Sequence, residues 1–308
     1  DLPLGITQYS DCETIQLATV PGGVTSMDVT LWGAGGGGGA PGTGGGGAMV
    51  QGNLSVQPGD KLEMRVACAG GKHGGGGGAS YVFVNGEIVM VAAGGGGAGT
   101  DGCSGCHVDT APIVSSGGGG GAVGQKGQDG AADNTYNAFM GGGQGATASA
   151  GGQGGVANNQ SQYNTCKAPQ GPGNASDGEA GSAHTGGREG SNHCKLKTNS
   201  PPANYHNGGG YDGGNGHSGG GGSGYFGGGS GAFLYTYNGG GGGGGSSWVD
   251  ASKVSLMATE GGNWQTPGGT GHPQYQNDAG RGGDPQTDPF DATLKGTDGN
   301  PGLIIVVL

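Results

Sequence analysis

Cys103, Cys106 and His107 form a C-x-x-C-H arrangement, the one spacing in this chain that spells a specific covalent chemistry. It is the attachment signature of c-type haem: two thiols capture the vinyl groups and the histidine becomes an axial ligand. Haem also needs a sizeable apolar pocket, and the neighbourhood offers only Val108, Pro112, Ile113 and Val114. The bland alternative is a small disulfide loop. Zinc is disfavoured because no second ligand pair is recognisably placed. No cofactor is therefore expected, with haem c at this motif as the remote alternative.

Cys12, Cys68, Cys166 and Cys194 complete a set of six cysteines, all disulfide candidates. An even count in a loop-rich chain favours bridges and an oxidising compartment, and leaves the connectivity open. Asn53, Asn159 and Asn174 each begin a glycosylation sequon, as expected of a secreted protein. Tyr205, Tyr211, Tyr225, Phe226, Trp248, Trp264 and Tyr275 stand among glycine and polar residues. Aromatics in polar loops suit recognition of sugars or protein surfaces, and equally suit covering a glycine scaffold.

The chain holds no phosphate-binding loop, zinc-protease motif or nucleophile elbow, and no pair of carboxylates in apolar surroundings. A non-enzymatic role follows. Eleven Lys and Arg against a net charge of −11 disfavour a nucleic-acid partner. No apolar run of about 18 residues occurs, so no membrane insertion is expected. A start at Asp1 fits a processed mature protein.

The elements that must position these residues are short strands and glycine runs. Glycine fills 87 of 308 positions and only 31% of residues are hydrophobic, against roughly 7% and 45–50% in ordinary domains. A conventional core is out of reach. Ten runs of three or more glycines recur: 35–39, 44–47, 74–78, 94–97, 117–121, 141–143, 208–210, 219–222, 227–229 and 239–245. Between them, period-two alternation marks strands at 14–20, 24–32, 48–56, 61–66, 81–84 and 88–91, with a further candidate at 231–237. Ile15, Leu17 and Thr19 share one face of the first of these. Gln57–Asp60 and Asn85-Gly86 read as hairpin turns. The apolar ending 303–308 reads as a fully buried strand that closes a sheet. Intervals 122–140, 156–207 and 248–300 are polar and loop-like.

Recurrence at strand ends argues that the glycine runs are ordered. Without side chains they can take the three-residue polyproline II geometry, in which five residues span roughly 15 Å. Such helices have no internal hydrogen bonds, so their backbone groups must pair laterally. Several runs side by side can satisfy one another, and only glycine permits that approach.

VPGGVTSMDVTLWGAGGGGG at 20–39, GGGGAMVQGNLSVQPGDKLEMRVACAGG at 44–71 and DGNPGLIIVVL at 298–308 resemble a glycine-rich domain family. Its members occur in bacterial surface proteins and phage tail-fibre adhesins, with a related domain in the extracellular part of the anaplastic lymphoma kinase receptor group. The resemblance implies a jelly-roll-like β-sandwich joined to a bundle of polyglycine II helices, and an adhesive or ligand-binding role. The cysteines and the 156–207 insertion depart from the phage pattern.

The expected architecture is thus mainly β, with little or no helix. One domain covers 12–308, with loop insertions at 156–207 and 248–300, after an arm at 1–11. Leu2, Leu4 and Ile6 alternate along that arm, and Pro3 suits it to a sheet edge where it could join a neighbouring subunit. The functional expectation is a secreted structural subunit of a fibre, appendage or matrix that self-associates. The alternative is an adhesin that binds a surface glycan or protein receptor.

Overall fold

The computed structural model describes residues 1–39, 42–99, 115–132, 138–159, 167–168, 171–172, 175–176, 179–187, 190–191, 195–196, 218–234, 238–285 and 296–308. Among them the chain is mainly β, with two five-stranded antiparallel sheets and no helix.

The first sheet is built from β1 (Ile6–Tyr9), β3 (Ser26–Trp32), β4 (Met49–Ser55), β9 (Val254–Glu260) and β10 (Leu303–Val307). Their order across the sheet is β1-β10-β3-β4-β9. The second contains β2 (Gln16–Thr19), β5 (Lys61–Arg65), β6 (Ser80–Val84), β7 (Glu87–Ala92) and β8 (Trp248–Val249), in the order β8-β7-β6-β5-β2. Asn85 and Gly86, with φ of 53° and 84°, make the β6–β7 turn that Asn-Gly predicts.

Period-two alternation sends Met27, Val29 and Leu31 of β3 and Leu62 and Met64 of β5 into one cluster shared by both sheets. Lys61, Glu63 and Arg65 face the other way, as the pattern requires. β10 is apolar at every position because both its faces are covered. Ile304 and Val306 join the shared core, while Leu303 and Ile305 pack outside with Trp32 and Met49.

Three expectations change. Ile15 and Leu17 face outward, at 44% and 76% exposure, while Ala18 packs against the core. The reason is register: β2 pairs Ala18 with Leu62, whose side chain already points inward. Residues 254–260, expected as loop, are the edge strand β9. An edge strand needs only one partner and one half-covered face, so its apolar signal is weak. The arm, expected to lie outside the domain, supplies the outermost strand of its own first sheet: Ile6–Tyr9 pairs with Val307–Ile304. Leu2 sits in the core at 3% exposure. An apolar β10 has two edges to satisfy, and β3 covers only one.

Strand directions alternate, so the ends of β3, β5, β7 and β9 and the starts of β4, β6, β8 and β10 all meet at one end of the sheets. Every glycine run that flanks these strands leaves from that end. Cys12 and Cys68 are bonded at the same junction, with Cα atoms 5.0 Å apart. The bridge fits an oxidising, extracellular environment.

Candidate functional site

Two features rise from this frame: a lattice of glycine segments, and an aromatic surface at its margin.

In the lattice, the segment 240–245 donates no backbone hydrogen bond to itself. Gly240 and Gly243 donate to Ala232 and Gly229, Gly241 and Gly244 to Ala131 and Gln128, and Gly242 and Gly245 to Gly97 and Gly94. Its carbonyls accept in the same rhythm. Gly219 and Gly222 bond to Gly240 and Gly243, Gly143 and Ala146 to Gly241 and Gly244, and Gly118 and Gly121 to Gly242 and Gly245. All these bonds measure 2.8–3.0 Å. Donors three residues apart reach the same neighbour, so six segments surround one. The accepting segments run antiparallel to it and the donating ones parallel.

Segment 94–99 repeats the pattern, donating in pairs to Ser223 and Gly220, Ala34 and Gly37, and Gly118 and Ser115. A Cβ on any residue from Gly240 to Gly245 would press on a neighbouring carbonyl well inside the 3.0 Å that real Cβ atoms keep. Side-chain hydroxyls take over where the runs end. Ser247 Oγ accepts from Ala93, Ser116 Oγ from Thr43 and Ser230 Oγ from Glu179, and all three serines are buried. Each hydroxyl thus gives a backbone N–H an acceptor at the edge of the lattice.

The aromatic surface lies on the outer face of the second sheet. β6 reads SYVFV: Val82 and Val84 face the shared core, and Tyr81 and Phe83 point outward. Their rings stack at 5.9 Å, with the Arg65 guanidinium 4.8 Å over Phe83 and paired with Glu63. His184 meets Tyr81 edge-on at 5.8 Å and Tyr225 at 5.6 Å. Tyr225 in turn stacks on Trp248 of β8 at 4.5 Å and meets Phe226 edge-on at 5.3 Å. The lattice holds this loop: Tyr225 N–H donates to the Ser246 carbonyl, and Ser246 N–H donates to the Phe226 carbonyl. The Tyr81 hydroxyl donates to the Gly224 carbonyl at 2.8 Å and lies 3.3 Å from His184 Nδ1. Burial pushes the His184 pKa below its ordinary value, so the ring is neutral near pH 7. Tyr225, Phe226 and Trp248 are each half-buried, leaving part of every ring to solvent. Such a surface can stack on a flat apolar face.

The other expected residues are dispersed. Tyr275 covers Trp32 on the first sheet's outer face, where Trp32 Nε1 donates to the Gly268 carbonyl. Burial first, and then Asp278, push the Tyr275 pKa up to about 12. Trp264 lies in a separate turn and accepts at its carbonyl from Gly46 N–H. Asn53 sits within β4, half-buried, its amide donating to Asp28 at 2.8 Å. Asn159 ends a short strand, Ala157–Asn159. Asn174, Tyr205, Tyr211, Cys103, Cys106, His107, Cys166 and Cys194 lie outside the described residues. Among the described residues no group of His, Cys, Asp and Glu converges as a metal site, and no helix is long and apolar enough to cross a membrane.

Sequence reasoning missed Arg65, Tyr81, Phe83 and His184 as members of the aromatic surface. The unbroken apolar run YVFV at 81–84 carried a signal, because a strand apolar at four successive positions must be covered on both faces. His184 carried none. The chain matches no protein-family model and no curated protein.

Proposed function

We propose that the chain is a secreted, non-enzymatic structural subunit of an extracellular fibre, appendage or matrix. On this reading the glycine segments form a polyglycine II bundle, set at one end of a jelly-roll-like β-sandwich. The observation that carries it is the three-residue rhythm in which segment 240–245 bonds to six neighbours. Three residues per turn without internal hydrogen bonds is the polyproline II geometry. A bundle satisfied in every lateral direction gives stiffness to a chain with little apolar core. The Cys12–Cys68 bridge favours a compartment outside the cytosol. Electron microscopy of the purified protein tests the proposal. Ordered filaments or sheets are expected, and particles that stay discrete at every concentration refute it.

A second reading, a recognition module for a glycan or protein receptor, draws on the half-buried Tyr225, Phe226 and Trp248 rings. It predicts saturable binding of a glycan in titration calorimetry, which Trp248→Ala abolishes while the variant keeps the circular-dichroism spectrum of the folded protein.

A further inference from the structure

The seven exposed large apolar residues among the described ones are Leu4, Ile6, Ile15, Leu17, Val156, Leu256 and Met257. Four of them fall between residues 4 and 17, on one flank where β1 and β2 edge their sheets. Leu2 N–H ties the two strands together by donating to the Thr19 carbonyl at 3.1 Å.

The four sheet edges are not alike. β9 carries a bulge between Leu256 and Ala258, and Val123 N–H donates to Thr259 Oγ1 along it. β8 has two residues, and the start of the chain bonds to β2. Bulges, brevity and cover are the ordinary protections of an edge. β1, at four residues, is short too, but it carries no bulge, and among the described residues no segment bonds along its outer side. Leu308 N–H donates to the Gly5 carbonyl, so antiparallel alternation turns Thr7 and Tyr9 toward β10 and leaves the N–H and C=O of Ile6 and Gln8 facing outward. Ile6 is 69% exposed and Leu4 80%.

We propose that this edge is an interface for a second copy of the chain, with β1 pairing antiparallel to the partner's β1 about a two-fold axis. The two first sheets then continue into each other. Charge argues for a like copy. The chain is acidic at −11 net, and residues 2–10 carry no charge, so two copies approach here without opposing carboxylates. A two-fold contact also matches the open edge to itself, with Ile6 opposite the partner's Gln8 when the pairing centres on Thr7. The inference deepens the structural-subunit reading by naming one of its contacts.

The test is sedimentation equilibrium of the full chain and of Ile6→Lys, with hydrogen exchange at the Ile6 and Gln8 amides. The wild type should dimerise. Ile6→Lys should raise the dissociation constant at least about tenfold, with an unchanged melting temperature at concentrations dilute enough for both proteins to be monomeric. Both amides should exchange more slowly as concentration rises. A strictly monomeric wild type, a dimer indifferent to Ile6→Lys, or amides equally protected in dilute monomer would each overturn the inference. Filaments that persist in Ile6→Lys overturn it and leave the structural reading standing. A wild-type dimer that builds nothing larger does the reverse.

Discussion

Replacing Gly241 by alanine adds one methyl group to the middle of the lattice. That Cβ would collide with the Ser116 carbonyl, and reaching the 3.0 Å limit requires the segment to retreat by about 1 Å. Two lateral bonds at this residue, Gly241 N–H to Ala131 and Gly143 N–H to the Gly241 carbonyl, measure 3.0 and 2.8 Å. A retreat of that size takes them beyond the 2.7–3.2 Å of ordinary hydrogen bonds. Both are buried, and leaving a buried polar group unpaired costs about 1–3 kcal/mol, so the variant should lose roughly 2–6 kcal/mol. For a chain of 308 residues that is a melting temperature lower by about 3–9 °C. Valine at Gly241 or Gly76 should be worse, because the branched side chain is larger and the Cβ at each site already falls about 2.0 Å from a neighbouring carbonyl oxygen. The control is Gly22→Ala, where nothing lies within 4 Å of the added carbon. It should melt within a few degrees of wild type, since surface substitutions usually stay within about 0.5 kcal/mol. Calorimetry of the three proteins decides the matter. If Gly241→Ala melts alongside Gly22→Ala, the packed lattice is wrong.

Removing the Cys12–Cys68 bridge by a Cys12→Ser, Cys68→Ser double substitution frees a loop spanning 56 residues. The chain-entropy relation puts the loss at about 4 kcal/mol, and urea unfolding of the double variant checks it; an unchanged midpoint would show that the lattice alone holds the junction. Tyr275, with its pKa pushed up to about 12, should ionise later than a free tyrosine in an ultraviolet titration, and the late component should be missing in Tyr275→Phe. A folded pKa above the unfolded value means this contribution is complete below about pH 10 and declines as pH rises toward 12. Tyr275→Phe should therefore flatten the alkaline limb of the stability curve.

The strands 24–32, 48–56, 61–66, 81–84 and 88–91 were legible as period-two alternation, which needs no knowledge of distant partners. So was the buried ending 303–308, where apolar residues stand at every position. The order of the glycine runs that fall among the described residues was legible as well, because their placement at strand ends and their freedom from side chains are local facts. Tertiary structure alone assigned partners. That Gly240 bonds to Ala232, Gly241 to Ala131 and Gly242 to Gly97 follows from the meeting of segments far apart in the chain, and one glycine reads like another until they meet. The same holds for the β2 face, where Ala18 turns inward only because Leu62 is opposite, and for β1, which needs β10 to become a strand. The aromatic surface lay hidden for the same reason. Tyr225 and Trp248 are ordinary loop residues in sequence, and they stack only because the lattice brings their segments side by side. Alternation and the missing Cβ act over a few residues and are written in the chain, whereas lateral pairing acts across space and is decided by the fold.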